Sequence, residues 1–311
     1  MMVMADGVIG EEAGKTTVAR PPTNSVTPTM SLRLSVAGWT DAGRQRELNE
    51  DRFYYKVVQA SDEGPLGLFV VADGMGGHLA GEVASQWTVG TLKRELAPLF
   101  RPQDPSVTRR LDAEALAAVG SGVTIRLEET ELARLLAHAI ERANQVLLGY
   151  ARKHSAQAGD MGSTLTLAVV EDDRLTIAHV GDSRAYLWRD GQLKQLTDDH
   201  SVPGALLKQG RITPEEAHDH PHRHVLYRCL GLKPGMEVDL YPTVALQPGD
   251  ALLLCSDGLW DMVYPTERLA AFLVSDANPL FICRRLIDAA NDAGGEDNIT
   301  AVLVRVEGHD A

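Results

Sequence analysis

Two β-rich apolar runs, Thr164–Val170 and Leu175–Val180, are joined by only four residues, Glu171-Asp172-Asp173-Arg174. A linker that short cannot carry the chain back along a sheet, which takes a dozen residues or more, so the two strands must pair antiparallel as a hairpin. Ala185–Trp188 and Gln192–Leu196 repeat the arrangement around Arg189-Asp190-Gly191. Leu66–Ala72, Ala251–Cys255 and Ile299–Val306 are further apolar runs of strand length. Helical patterns come in separate blocks. Leu132, Leu135, Leu136, Ala139, Ile140, Ala143, Val146, Leu147 and Tyr150 recur with a 3.6-residue period. Gly81–Leu99 is expected to be the helix paired with it. Asn278-Pro279 is a helix start, Phe281, Ile282, Leu286 and Ala289 form the buried stripe, and Gly294-Gly295 is the stop. Hairpins in one place and helices in another exclude a doubly wound parallel sheet. The expected class is α+β, with antiparallel sheets covered by helical pairs.

Residues 1–31 lack periodicity and are rich in Gly, Pro, Ser and Thr, which predicts a disordered extension, leaving 32–307 as one domain. Residues 101–128, with Pro102, Pro105, Gly120 and Gly122, read as a surface excursion. The chain carries 43 acidic residues against 30 Lys and Arg, a net charge of −13. Nucleic acid and anionic membrane surfaces are therefore poor partners. Three cysteines make no disulfide framework and suit a reducing cytoplasm. The start of the chain shows no secretory pattern, and no apolar run approaches the length of a spanning helix.

Acids stand where the apolar runs end. Asp73 follows Leu68–Ala72, Asp182 follows Ile177–Gly181, Asp257 follows Leu252–Ser256, and Asp297 precedes the last strand. Strand ends let a sheet bring distant side chains to one point, and carboxylates that converge repel one another unless a cation neutralises them. Oxygen ligands without His or Cys suit Mg²⁺ or Mn²⁺. A single Asp-Gly after a strand is commonly no more than a turn, so the weight rests on the set. In order, it comprises Arg46-Glu47-Leu48-Asn49-Glu50-Asp51, Asp73-Gly74-Met75-Gly76-Gly77-His78, Gly181-Asp182-Ser183-Arg184, Ser256-Asp257-Gly258-Leu259-Trp260-Asp261 and Glu296-Asp297-Asn298-Ile299-Thr300.

Taken together, the five motifs resemble the metal-dependent protein serine/threonine phosphatases of type 2C in their bacterial form, over residues 32–307. The resemblance implies two packed antiparallel sheets flanked by helices on both outer faces. It implies that Asp73 bridges two Mn²⁺ or Mg²⁺ ions with help from the Gly74 carbonyl, and that Asp257 and Asp297 complete the first ion. Glu50 and Asp51 would hold metal-bound water, Arg46 would grip the substrate phosphate, and Asn298 would support the last ligand. Asp182, with Asp257 and Asp261, would form a third, weaker metal site. The implied reaction is direct attack of a metal-bridging water on phosphoserine or phosphothreonine proteins, opposing a cognate Ser/Thr kinase. A monomer is expected. No Cys-x5-Arg pattern surrounds any cysteine, which argues against a cysteine nucleophile. A two-metal nuclease would need a basic groove, against which the charge counts.

One departure stands out. Animal relatives carry a His after the Asp-Gly pair as a proton donor, and here the position is Met75. A thioether cannot donate a proton. His78 is expected to make a local structural bond instead. Asp199–Tyr227 corresponds to the family's mobile flap, and its tract His218-Asp219-His220-Pro221-His222-Arg223-His224 reads as a solvated loop, with transition-metal binding or pH sensing as the sharper alternative.

Overall fold

The computed structural model describes residues 31–59, 64–76, 80–100, 131–275 and 277–309. The segment 1–31 expected to be disordered, the expected excursion over 101–128 and His78 fall outside these, Ser31 apart.

Two antiparallel sheets face each other. One orders β1 (Ser31–Asp41), β11 (Ile299–His309), β10 (Ala251–Cys255), β7 (Arg184–Arg189) and β8 (Gln192–Gln195). The other orders β2 (Asp51–Gln59), β3 (Pro65–Met75), β5 (Leu165–Glu171), β6 (Arg174–Val180) and β9 (Asp239–Ala245), with β4 (Gly162–Ser163) beside the end of β3. Both hairpins close as the spacing predicts. Their turns hold Asp172 at φ +58° and Asp190-Gly191 at φ +50° and +81°, the left-handed conformations that Asp and Gly tolerate in tight turns.

The pleat sorts each buried strand onto two cores. Leu68 and Val70 point to a layer built from α1 (Ala80–Glu95) and α2 (Glu131–Lys153), while Phe69 and Val71 point between the sheets. Leu253 and Cys255 point outward to the other helical layer, while Leu252 and Leu254 join the inter-sheet core. Alternation of this kind, apolar on both faces, is what a strand covered on both sides requires. On α2, Leu136, Ala139, Ile140, Ala143 and Leu147 are buried, the stripe read from the sequence. Each fully buried Leu or Ile is worth ~1.5–3 kcal/mol.

The second helical layer holds α6 (Thr266–Leu273) and α7 (Pro279–Asp292). Asn278 caps α7 by accepting the Leu280 N–H at 2.8 Å, with Pro279 opening the first turn. Gly294 and Gly295, both at positive φ, end it. Three shorter helices lie nearer the site: α3 (Val202–Lys208), α4 (Pro214–His218) and α5 (Asp257–Trp260). Thr213 closes a capping box with Glu216 at the start of α4. Among the described residues no helix is long and apolar enough to cross a membrane.

Candidate metal centre

Register brings the first two acids together. Asp51 opens β2 and Asp73 lies near the end of β3, and they are direct cross-strand partners. Such partners stand ~4.5–5.5 Å apart. β3 does not stop at Asp73, as the sequence suggests, but runs on through Met75, because Gly74 and Met75 pair with β4. Asp73 is held on both sides of its backbone: its N–H donates to Thr164 Oγ1 at 2.9 Å and its carbonyl accepts from the Thr164 N–H at 2.8 Å. Gly74 sits so close to α1 that a Cβ there would fall inside the envelope of the Gly81 carbonyl oxygen. Glycine is required at that contact.

The opposite sheet supplies the rest. Asp257 follows β10 and opens α5, and Asp297 precedes β11, the neighbour of β10. Asp182 stands where the chain crosses from β6 in one sheet to β7 in the other, and its carbonyl accepts the Trp260 indole N–H at 3.0 Å. Arg46, Glu50, Asp73, Gly74, Asp182, Asp257, Asp261 and Asp297 all line one cavity of about 420 Å³, with Met75, Met262 and His224. Asp51 is not on its wall. It lies behind, fully buried, with Oδ2 accepting the Ser256 hydroxyl at 2.7 Å. Ser256 Oγ in turn accepts the Thr300 N–H at 2.9 Å.

Asn298 ties the cluster's supports together. Its Oδ1 accepts the Glu50 N–H at 2.8 Å, and its Nδ2 donates to the Ala42 and Leu48 carbonyls at 2.9 and 2.8 Å. Arg46 Nη2 donates to Asp297 Oδ2 at 2.7 Å, at a half-exposed position. Segment 199–227 brings three basic side chains to these acids. His218 Nδ1 stands 3.2 Å from Asp261 Oδ1 without hydrogen-bond alignment, Arg223 Nε is 3.5 Å from Asp261 Oδ2, and His224 Nδ1 is 3.8 Å from Asp257 Oδ2. The solvated-loop reading of the His tract is thus corrected for His218 and His224, which face acids 33 or more positions away in sequence. His220 and His222 face each other, ring centroids 5.7 Å apart.

The electrostatics are those of an uncompensated acidic site. Burial pushes the Asp51 carboxyl up to about 8, with Asp257 and Asp297 adding to the rise against the Ser256 and Thr300 bonds. Burial raises Asp73 and Asp182 well above the ordinary carboxylate range, reinforced at Asp73 by Asp51, Asp257 and Asp182 and at Asp182 by Asp257 and Asp199. Glu50 and Asp297 are raised for the same first reason. His224 is raised by Asp257. Glu50 Oε1, Asp51 Oδ1, Asp257 Oδ1 and Asp261 Oδ1 are buried and have no hydrogen-bond partner among the described residues. Buried carboxylate oxygens left unpaired are costly, and a hard divalent cation satisfies them. Among the described residues no three of these side chains close into a cage. Carboxylates ringing an open cavity suit ions that keep several water ligands, as Mg²⁺ does.

The chain as a whole is similar to known proteins. The sequence pattern of the protein phosphatase 2C family matches residues 40–281. The chain belongs to that family. It is a metal-dependent protein serine/threonine phosphatase. The serine/threonine phosphatase stp of Listeria monocytogenes is 38% identical over 269 residues, covering 85% of this chain and 93% of that protein. The Streptococcus agalactiae serine/threonine phosphatase superimposes with a TM-score of 0.71 at 31% identity, covering 88% of this chain and all of that one. The catalytic domain of the phosphatase PstP, solved in complex with two manganese ions, gives a TM-score of 0.67 at 33% identity over 89% of this chain.

Sequence reasoning passed over three contributors. Ser256, Thr164 and His224 each lie in or near a motif, yet nothing in their local pattern distinguishes them from turn or strand residues. Their partners, Asp51, Asp73 and Asp257, are 205, 91 and 33 positions away.

Proposed function

We propose that the cavity is a binuclear Mn²⁺ or Mg²⁺ centre at which the phosphatase domain, residues 32–307, hydrolyses phosphoserine and phosphothreonine in proteins. Asp73 and the Gly74 carbonyl would serve both ions, and Asp257 and Asp297 would complete the first. Glu50 and Asp51 fix waters around them. Asp182, Asp257 and Asp261 hold a third ion more weakly. The observation that carries the reading is the group of buried, partnerless carboxylate oxygens converging from both sheets on one cavity.

Ions bound there supply an activated water and neutralise charge on the phosphoryl oxygens. The chain's residues do the rest. Arg46 stands at the rim with its guanidinium on Asp297, placed to fork onto two phosphate oxygens and orient the ester. The inner acids keep their geometry through Thr164, Ser256 and Asn298, so little reorganisation is needed as charge develops. Met75 cannot protonate the departing alkoxide. His224, on the cavity wall 3.8 Å from Asp257, which raises its pKa, is the candidate proton donor. The enzyme opposes a Ser/Thr kinase in the cytoplasm and works as a monomer.

Hydrolysis of a phosphothreonine peptide with Mn²⁺, before and after EDTA and in Asp257→Asn, tests the reading. Activity should vanish with EDTA, return with Mn²⁺, and fall at least about a hundredfold in the variant. Full activity in EDTA or in Asp257→Asn would sink it.

A further inference from the structure

The turn that delivers Asp182 is held by buried polar side chains that form no part of the cavity wall. Gly181 has φ +111°, and a Cβ there would meet the Thr164 side chain at 2.6 Å. A backbone in that region keeps its shape only when its surroundings fix it. Histidine supplies the fixing on both sides. The Gly181 N–H donates to His200 Nδ1 at 3.0 Å. Its carbonyl accepts from the His200 N–H at 2.7 Å and lies 3.0 Å from His179 Nε2. Both rings are buried, with centroids 4.9 Å apart. Since His200 Nδ1 accepts, its ring proton sits on Nε2, facing Asp239 Oδ2 at 3.3 Å. Arg228 holds the other oxygen of Asp239 at 2.6 Å.

The same imidazole residue roots segment 199–227. The Tyr227 N–H donates to the His200 carbonyl at 2.9 Å, Ser201 bridges to Leu226, and the Val202 N–H donates to the Val225 carbonyl at 3.0 Å. The segment thus leaves and returns through a short stem beside Gly181. Beyond the stem it carries His218, Arg223 and His224 to the acids of the cavity. His200 therefore bonds the Asp182 turn through its ring and backbone, and the stem through its carbonyl.

We propose that His200 is a positioning residue that locks the Gly181–Asp182 turn to the stem of segment 199–227 and so sets the affinity of the ion held by Asp182, Asp257 and Asp261. The proposal rests on the metal reading of Asp182. A side chain that orients a ligand without touching the ion changes metal affinity by roughly 10–100-fold when lost. The acceptor at Nδ1 is the feature that matters. Asn places its amide oxygen near the position of Nδ1, whereas Gln places its amide near Nε2, so the two substitutions separate the Gly181 bond from the Asp239 bond.

The experiment titrates Mn²⁺ into the full chain and reads free ion by electron paramagnetic resonance, in wild type, Asp182→Asn, His200→Gln and His200→Asn. Tryptic cleavage at Lys208 and Arg211 is followed alongside. Asp182→Asn should lose the weakest ion. His200→Gln should weaken that same ion about tenfold or more, leave the tighter ions within about twofold, and speed cleavage of the segment. His200→Asn should restore both readouts. Wild-type affinity for every ion in His200→Gln overturns the proposal. So does equal damage in His200→Asn, which would mean packing alone, or loss of all ions together, which would mean general unfolding. If Asp182→Asn keeps every ion, the metal reading of Asp182 falls instead, and the proposal falls with it.

Discussion

Asp51→Asn should make the metal-free protein more stable while making the enzyme worse. Asp51 is fully buried, accepts the Ser256 hydroxyl on one oxygen and has nothing on the other. Its carboxyl titrates near 8 in the fold against 3.8 ordinarily. The folded chain therefore binds this proton more tightly than the unfolded chain does. The resulting stability is fully present below about pH 4 and is lost as pH rises through 8. At ~1.4 kcal/mol per pH unit the ceiling on the loss is ~5–6 kcal/mol. Relaxation and sharing of protons with Asp73 reduce what one substitution recovers, to the order of 1–3 kcal/mol. Asn keeps the acceptor for Ser256 and turns the partnerless oxygen into a donor aimed at acids. The assay is thermal unfolding in EDTA at pH 5 and pH 8.5. The variant should melt ~2–12 °C above wild type at pH 8.5, taking ~2–4 °C per kcal/mol, and the gap should shrink at pH 5. His179, buried neutral and pushed down to about 3 by desolvation and His200, titrates identically in both proteins and cancels. Saturating Mn²⁺ should reverse the order, because wild type gains more from binding. A variant that melts lower at pH 8.5 in EDTA, or shows the same pH slope as wild type, would refute the argument that buried like charges destabilise the empty site.

Arg46→Ala should raise KM for a phosphothreonine peptide ~10–100-fold, since a charge-assisted bond to phosphate is worth ~1.5–3 kcal/mol; an unchanged KM would remove Arg46 from substrate binding. Gly74→Ala forces a methyl into the Gly81 carbonyl and should cost at least ~3 kcal/mol or abolish soluble expression, while a variant melting like wild type would show that α1 can move aside. Asn298→Ala strips three buried hydrogen bonds and should lower stability by ~2–4 kcal/mol in chemical denaturation and cut activity through Glu50; a midpoint equal to wild type would mean water replaces all three.

The strands legible in the sequence and those that were not divide by place in the sheet. β3, β5, β6, β10 and β11 have neighbours on both sides and read as continuous apolar runs. β1, β2 and β9 are edges, and β2 alternates buried and exposed residues irregularly. Edge strands give weaker apolar signals because part of each faces water. β8 is an edge too, and its Asp190-Gly191 turn gave it away. Asp73, Asp182, Asp257 and Asp297 were legible because each stands beside a strong strand. Their supports were not. Thr164 and Ser256 act through partners fixed only by tertiary register, and no local period marks a hydroxyl that will accept the Asp73 N–H or face a carboxylate from the other sheet.

Burial also ranks the acids. Asp297 is partly exposed and has Arg46 at 2.7 Å, so water and a guanidinium offset its charge when no ion is near. Asp261 and Asp257 can lean on Arg223, His218 and His224 from segment 199–227. Asp51 has neither solvent nor a cationic side chain, and Asp73, half-buried on the cavity wall, has no cationic side chain: they are paired across β2 and β3, and every charge raising them is another acid. A proton or a bound cation is what remains to balance them. The demand for a divalent ion therefore originates at the β2–β3 register pair, deep in the site. On the proposed metal reading the outer acids would refine where the ion sits, and substituting them should change affinity and selectivity without the gain in metal-free stability expected of Asp51→Asn.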